Sequence, residues 1–214
     1  MKIYKMIIRT FLTLFISTSA YSATLAIEDG QLVGADGITF GGYTGSVRFV
    51  DGTCADLFNG CDEPSDIIFE SLTSTNTEAR DLAIAANFAL LDQVFDASPL
   101  YDENIALTFG CEEGTFVALI RCGILTPYDY TDNDSVVTVS LTNRDDNSGL
   151  DAVGSGQGYP SNDSTIPLNP DAADRLVYAT WTVTPVPLPA AGPLFLTAIC
   201  ALGFLGSRRQ SPRT

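Results

Sequence analysis

Arg175-Leu176-Val177-Tyr178-Ala179-Thr180-Trp181-Thr182-Val183-Thr184 decides the fold class of this chain. In an extended backbone Val177, Ala179, Trp181 and Val183 fall on one face, and Tyr178, Thr180 and Thr182 on the other. That period of two belongs to a strand with one face in a core. Upstream, Ser46 to Asp51 repeats the pattern, with Val47 and Phe49 set against Arg48 and Val50, and stops at Asp51-Gly52. Gln31 to Phe40 alternates more weakly, with Gly34 and Gly37 as breaks and Gly41-Gly42 after it. Further strands are expected at Asp66–Glu70, Ile105–Phe109, Thr115–Arg121 and Ser135–Thr142.

Against these strands stands one helix, Ser74 to Phe95. Ser74 or Thr75 caps it, and Glu78 stands where a capping box with Thr75 needs it. Ile84, Phe88, Leu91 and Phe95 repeat at i, i+4, i+7 and i+11 and predict a single apolar stripe. Asn143 to Asp171 is rich in Gly, Ser, Asp and Asn and reads as a long surface loop. The expected fold is α+β: mainly antiparallel β, in a sheet or sandwich, with one amphipathic helix. An N-terminal signal peptide and a C-terminal transmembrane helix flank it.

The charge is concentrated in the middle. All 26 acidic residues of the 214 lie between Ala23 and Pro185. Against them stand only Arg48, Arg80, Arg121, Arg144 and Arg175, so five cations and 26 anions leave the body at −21. Such a surface repels nucleic acid and anionic headgroups. The chain has no His, which removes the Ser–His and Cys–His nucleophile pairs. Without a body Lys there is no phosphate-cradling Gly-rich loop ending in Lys. No catalytic residue is expected.

Lys2, Lys5 and Arg9 precede a short apolar run, Thr10 to Ser17, followed by small residues at Ala20, Ser22 and Ala23. This is the pattern of a Sec-type signal peptide, with cleavage after Ser22 or after Ala20. Four body cysteines in an exported chain read as two disulfides, and four cysteines allow three pairings. Cys54–Cys61 with Cys111–Cys122 is preferred, because each pair closes a hairpin-sized loop and Asn59-Gly60 supplies a turn in the first. Zinc would need Cys-x-x-Cys or His, and neither is present. Cys200 stands apart in the tail.

That tail begins with Val186-Pro187-Leu188-Pro189-Ala190. From Ala190 to Gly206 it is uncharged, and it ends with Ser207-Arg208-Arg209. A helix over the apolar run is roughly 25 Å long, just short of a bilayer core of about 30 Å. The arginines hold its end in the cytoplasm. Pro187 and Pro189 keep the preceding backbone extended.

Motif, span and basic stop together resemble the PEP-CTERM sorting domain of exported bacterial proteins, in its VPLPA variant. Leu188 stands where the commonest form has Glu. The resemblance implies a Gram-negative host that makes exopolysaccharide. It also implies recognition by an exosortase, an integral-membrane cysteine transpeptidase. Val50-Asp51-Gly52-Thr53-Cys54 and Leu57-Phe58-Asn59-Gly60-Cys61 also resemble the body of PEP-CTERM exported proteins, a likeness that implies no activity. The expected organisation is then a signal peptide (1–22), an exported acidic globular domain (23–185) and a sorting domain (186–214). The last divides into motif 186–190, transmembrane helix 190–206 and basic tail 207–214.

The expected path runs through the Sec translocon to an inner-membrane intermediate, then to the cell surface or beyond. The expected role is structural or adhesive, in association with exopolysaccharide. One alternative is a carbohydrate-binding module, with Tyr128, Tyr130 and Tyr159 in loops as stacking candidates and Trp181 assigned to the core. A carboxylate-based hydrolase is the other. No cofactor is required. Ca²⁺ is the one metal the loops suggest, through Asp129, Asp132 and Asp134, with Asp145, Asp146 and Asp151 in the next loop, although EF-hand spacing is missing.

Overall fold

The computed structural model describes residues 23–111, 121–131, 135–144, 150–160 and 174–186. Its strands are β1 (Thr24–Glu28), β2 (Gln31–Phe40), β3 (Tyr43–Val50), β4 (Arg121–Thr131), β5 (Ser135–Arg144), β6 (Ala152–Pro160) and β7 (Asp174–Pro185). They make one sheet in the order β1-β2-β3-β7-β4-β5-β6. Most neighbours are antiparallel. Between β3 and β7, Thr180 Oγ1 donates to Arg48 O and Thr184 Oγ1 to Thr44 O, so that pair also runs antiparallel. β4 and β7 pair in parallel, from Arg121–Asp174 to Leu125–Tyr178. Among the described residues the protein is therefore mainly β, as the alternation predicts, and of the two expected arrangements it takes the sheet, a mixed one.

The chain between β3 and β4 is helical where it is described. It contains α1 (Cys54–Leu57), a 3₁₀ turn (Pro64–Asp66), α2 (Ile68–Ser71) and α3 (Asn76–Leu90). A π-helical turn (Leu91–Phe95), α4 (Pro99–Glu103) and a second 3₁₀ turn (Ile105–Leu107) follow. The strand expected at Asp66–Glu70 is thus replaced by turns. Pro64 opens the 3₁₀ turn, and the Asp66 carboxylate accepts from Asn59 Nδ2 and from the N–H groups of Glu63 and Asp62. These local bonds outweigh the β propensity of Ile67-Ile68-Phe69. Ile105–Phe109 is likewise a turn, joined to the sheet's backbone by a bridge between Thr108 and Leu32 and packed on its larger core. The expected Thr115–Arg121 strand lies outside the described residues except for Arg121, where β4 begins.

Thr75 caps α3, its Oγ1 accepting from Glu78 N at 3.2 Å, while Glu78 Oε2 accepts from Ser74 N at 3.0 Å. The buried face is not the expected stripe. Ala79, Ala83, Ala86 and Leu90 are fully enclosed, whereas Phe88 is 54% exposed and Ile84 and Leu91 are half-buried. Methyl groups let the helix axis lie close to the sheet, and the bulkier side chains are turned to the flanks. Val94 and Phe95 complete the buried row. Gln93 docks on the backbone of β2, donating to Thr39 O at 2.9 Å and accepting from Thr39 N at 3.1 Å.

Two cores result, on opposite faces. Val177, Ala179 and Trp181 join Phe40, Phe49, Phe69 and the α3 alanines in the larger one. Tyr178, one residue out of phase, belongs to a smaller cluster with Cys54, Cys61, Ile67, Leu125 and Val136. Sequence pattern placed Tyr178 opposite Val177 but gave it no cover. The cover is the disulfide-closed α1 segment, whose Phe58 packs edge-on against the Tyr178 ring at 5.6 Å. Between Asn143 and Asp171 the structure holds a strand, β6, where a loop was expected.

Candidate functional site

Cys54 pairs with Cys61 and Cys111 with Cys122, with Cα–Cα separations of 5.7 and 5.6 Å. All four residues are fully buried. The first bridge closes α1, which Thr53 caps through Asp56 N and which ends on Asn59, Gly60 and Cys61, all at positive φ. The second ties the start of β4 to the end of the helical segment. On the chain-entropy model, loops of this size stabilise by roughly 2.5–3 kcal/mol each.

Trp181 is core, as expected. It is 7% exposed, edge-on to Phe40 and Phe69, and its Nε1 donates to Thr126 Oγ1, which donates to Asn87 Oδ1 at 3.3 Å. Tyr128 and Tyr130 lie on strand β4, not in loops, and Tyr128 is buried. A buried ring offers no face to a sugar, which removes Tyr128 as a stacking residue. Tyr159 falls within β6.

Asp129 also sits on β4 rather than in a turn. Its carboxylate accepts from Asn76 Nδ2 at 2.9 Å and from Tyr130 N at 2.8 Å, tying the strand to the start of α3. Its charge helps to raise the carboxyl of Glu70, which burial raises first, and likewise the Tyr128 hydroxyl. Asp132, Asp134, Asp145 and Asp146 lie outside the described residues. So do Ala20, Ser22, Cys200, Pro187, Leu188, Pro189, Ala190, Arg208 and Arg209. Val186 is the last described residue, 39% exposed. Among the described residues, no helix is long and apolar enough to cross a membrane.

The acidic constellation the fold does assemble is Asp96, Asp102 and Asp151. Each offers a carboxylate oxygen, and these oxygens lie within 4.8 Å of one another. Asp96 ends the π turn, its N–H donating to Leu91 O at 2.9 Å. Ser98 then reverses the chain, and Pro99 starts α4, which carries Asp102. Asp151 arrives from the other side of the molecule's sequence, just before β6, and its Oδ1 accepts from Arg144 N at 2.8 Å. Asp96 is exposed, and Asp102 and Asp151 are half-buried.

Like charges this close repel by on the order of a few kcal/mol per pair near a protein surface, less where water screens Asp96. Burial, then the charge of Asp96, pushes the Asp151 carboxyl above its ordinary range. The Arg144 N–H, a hydrogen bond with Asp102 and the Arg144 charge pull the other way. Beside the trio lies Asn143, fully buried. Its Nδ2 donates to Tyr101 O at 3.1 Å, and its Oδ1 has no hydrogen-bond partner. The trio has no signature in sequence spacing, because β5 and β6 bring Asp151 to a turn that precedes them by some fifty residues.

Comparisons with known family models, curated proteins and solved structures find no match to this chain.

Proposed function

We propose that the chain is a non-enzymatic exported protein, sorted through its carboxy-terminal tail by an exosortase and delivered to the cell surface or extracellular matrix. There it serves a structural or adhesive role alongside exopolysaccharide. The observation that carries this reading is the order Val186-Pro187-Leu188-Pro189-Ala190, apolar run, Arg208-Arg209 at one end and the basic-apolar-small pattern at the other. The two buried disulfide pairs support it, since such bridges form and persist in oxidising compartments. A body with 26 acids and no Lys stays soluble and apart from anionic headgroups once released. Replacing Pro187 and Pro189 together by Ala tests the tail. The variant is expected to accumulate unprocessed at the inner membrane, and arrival at the wild-type destination with the wild-type mature mass would overturn the reading.

A further inference from the structure

We propose that Asp96, Asp102 and Asp151, completed by the amide oxygen of Asn143, form a Ca²⁺ site. Three features carry this beyond acidic crowding. First, the geometry suits the ion. Oxygens on opposite sides of Ca²⁺, at about 2.3–2.6 Å each, stand about 4.6–5.2 Å apart, and the three carboxylates lie within 4.8 Å of one another.

Second, Asn143 Oδ1 is an unpaired acceptor on a fully buried side chain. Asn143 stands one residue beyond the last ladder pair of β5 and β6, Thr142–Ala152, and therefore directly opposite Asp151. Both rise from the face that carries Leu141 and Val153 in the larger core. The bond from Nδ2 to Tyr101 O holds the amide beside the residue that precedes Asp102, on the face that Asp151 shares. A buried acceptor that no donor satisfies is costly in a protein interior and suited to a hard cation.

Third, the charge balances. With all three carboxyls ionised, three aspartates against the neighbouring Arg144 leave two negative charges, which one divalent ion neutralises. Bound there, the ion would join the π turn and α4 to the start of β6, an edge strand otherwise held along one side only.

The test uses the full-length chain with both disulfides formed, stripped with chelator and titrated with CaCl₂ or MgCl₂ by calorimetry and thermal unfolding. The expected result is a dissociation constant for Ca²⁺ of about 10⁻⁴–10⁻³ M, the range of extracellular modules, with a matching rise in Tm. Mg²⁺, which demands tighter octahedral geometry, is expected to bind at least about tenfold more weakly. Asp151→Asn should weaken Ca²⁺ binding at least about tenfold without lowering the metal-free Tm, since it relieves repulsion. Asp96→Asn, at an exposed position that folding does not need, should also weaken it. A wild-type Tm indifferent to millimolar Ca²⁺ would overturn the site, as would a Ca²⁺ response kept in full by Asp96→Asn, or an equal response to Mg²⁺.

Discussion

Glu70 lies half-buried at the end of α2, with Oε2 enclosed and lacking a hydrogen-bond partner. Burial first, and the charge of Asp129 second, raise its carboxyl above the ordinary range. A native value above the unfolded one means that the folded state holds this proton more tightly. The destabilisation is absent below the unfolded value, about pH 4.3, and grows as pH rises through the raised native value. Glu70→Gln is therefore expected to raise Tm at pH 7 and to lose that advantage below about pH 4; a gap that does not change with pH would contradict this. Gly34 is constrained for a different reason. It sits at φ +152° within β2, beside the register shifts against β1 and β3, where a Cβ would collide with Val47 O. Arg48 closes the same irregularity, donating to Val47 O and Ala35 O and pairing with both oxygens of Asp36. Gly34→Ala should cost at least about 2 kcal/mol by denaturant melting. An unchanged midpoint would mean the strand can shift to make room.

Helix α3 shows how far a pattern reaches and where it stops. Its existence, its Thr75 cap and its continuation to Phe95 are legible, because capping residues and apolar spacing are local. Its buried face is not, because alanine scores weakly in any apolar count while offering the closest approach to a sheet. The face can be checked directly. Ala83→Leu inserts bulk into a closed interface and should cost about 1–3 kcal/mol. Phe88→Ser, at a ring 54% exposed, should change stability by no more than about 0.5 kcal/mol. The reverse order of effects would restore the Ile84–Phe88 stripe. β7 is legible because its alternation is clean. β6 is not, because Gly154, Ser155, Gly156, Gln157 and Gly158 give an edge strand no apolar phase. Pro127 hides β4 in the same way, since the ladder to β5 accommodates it only by a shift of register between Pro127 and Asp129.

Across the whole molecule, the disulfides were legible and the acidic site was not, for one reason. Cysteines seven and eleven positions apart can be paired from loop length, whereas Asp96, Asp102 and Asp151 meet only once the sheet has formed. The first bridge also anchors the smaller core under α1, where Tyr178 is enclosed, while Cys111 and Cys122 lie in the larger one. Removing the first with Cys54→Ser and Cys61→Ser should lower stability by roughly 2.5 kcal/mol, a Tm drop of about 5–10 °C by calorimetry. A drop under about 1 °C would assign the segment's order to the Asp66 hydrogen bonds instead. Buried bridges suit an oxidising compartment. The proposed reading assigns delivery there to the tail. Intact-mass measurement on the protein recovered from its native host tests that most directly. The account predicts a chain starting just after Ala20 or Ser22, lacking the segment beyond the 186–190 motif, and lighter by the four hydrogens of two disulfides. A full-length chain with reduced thiols in the cytosolic fraction would contradict it.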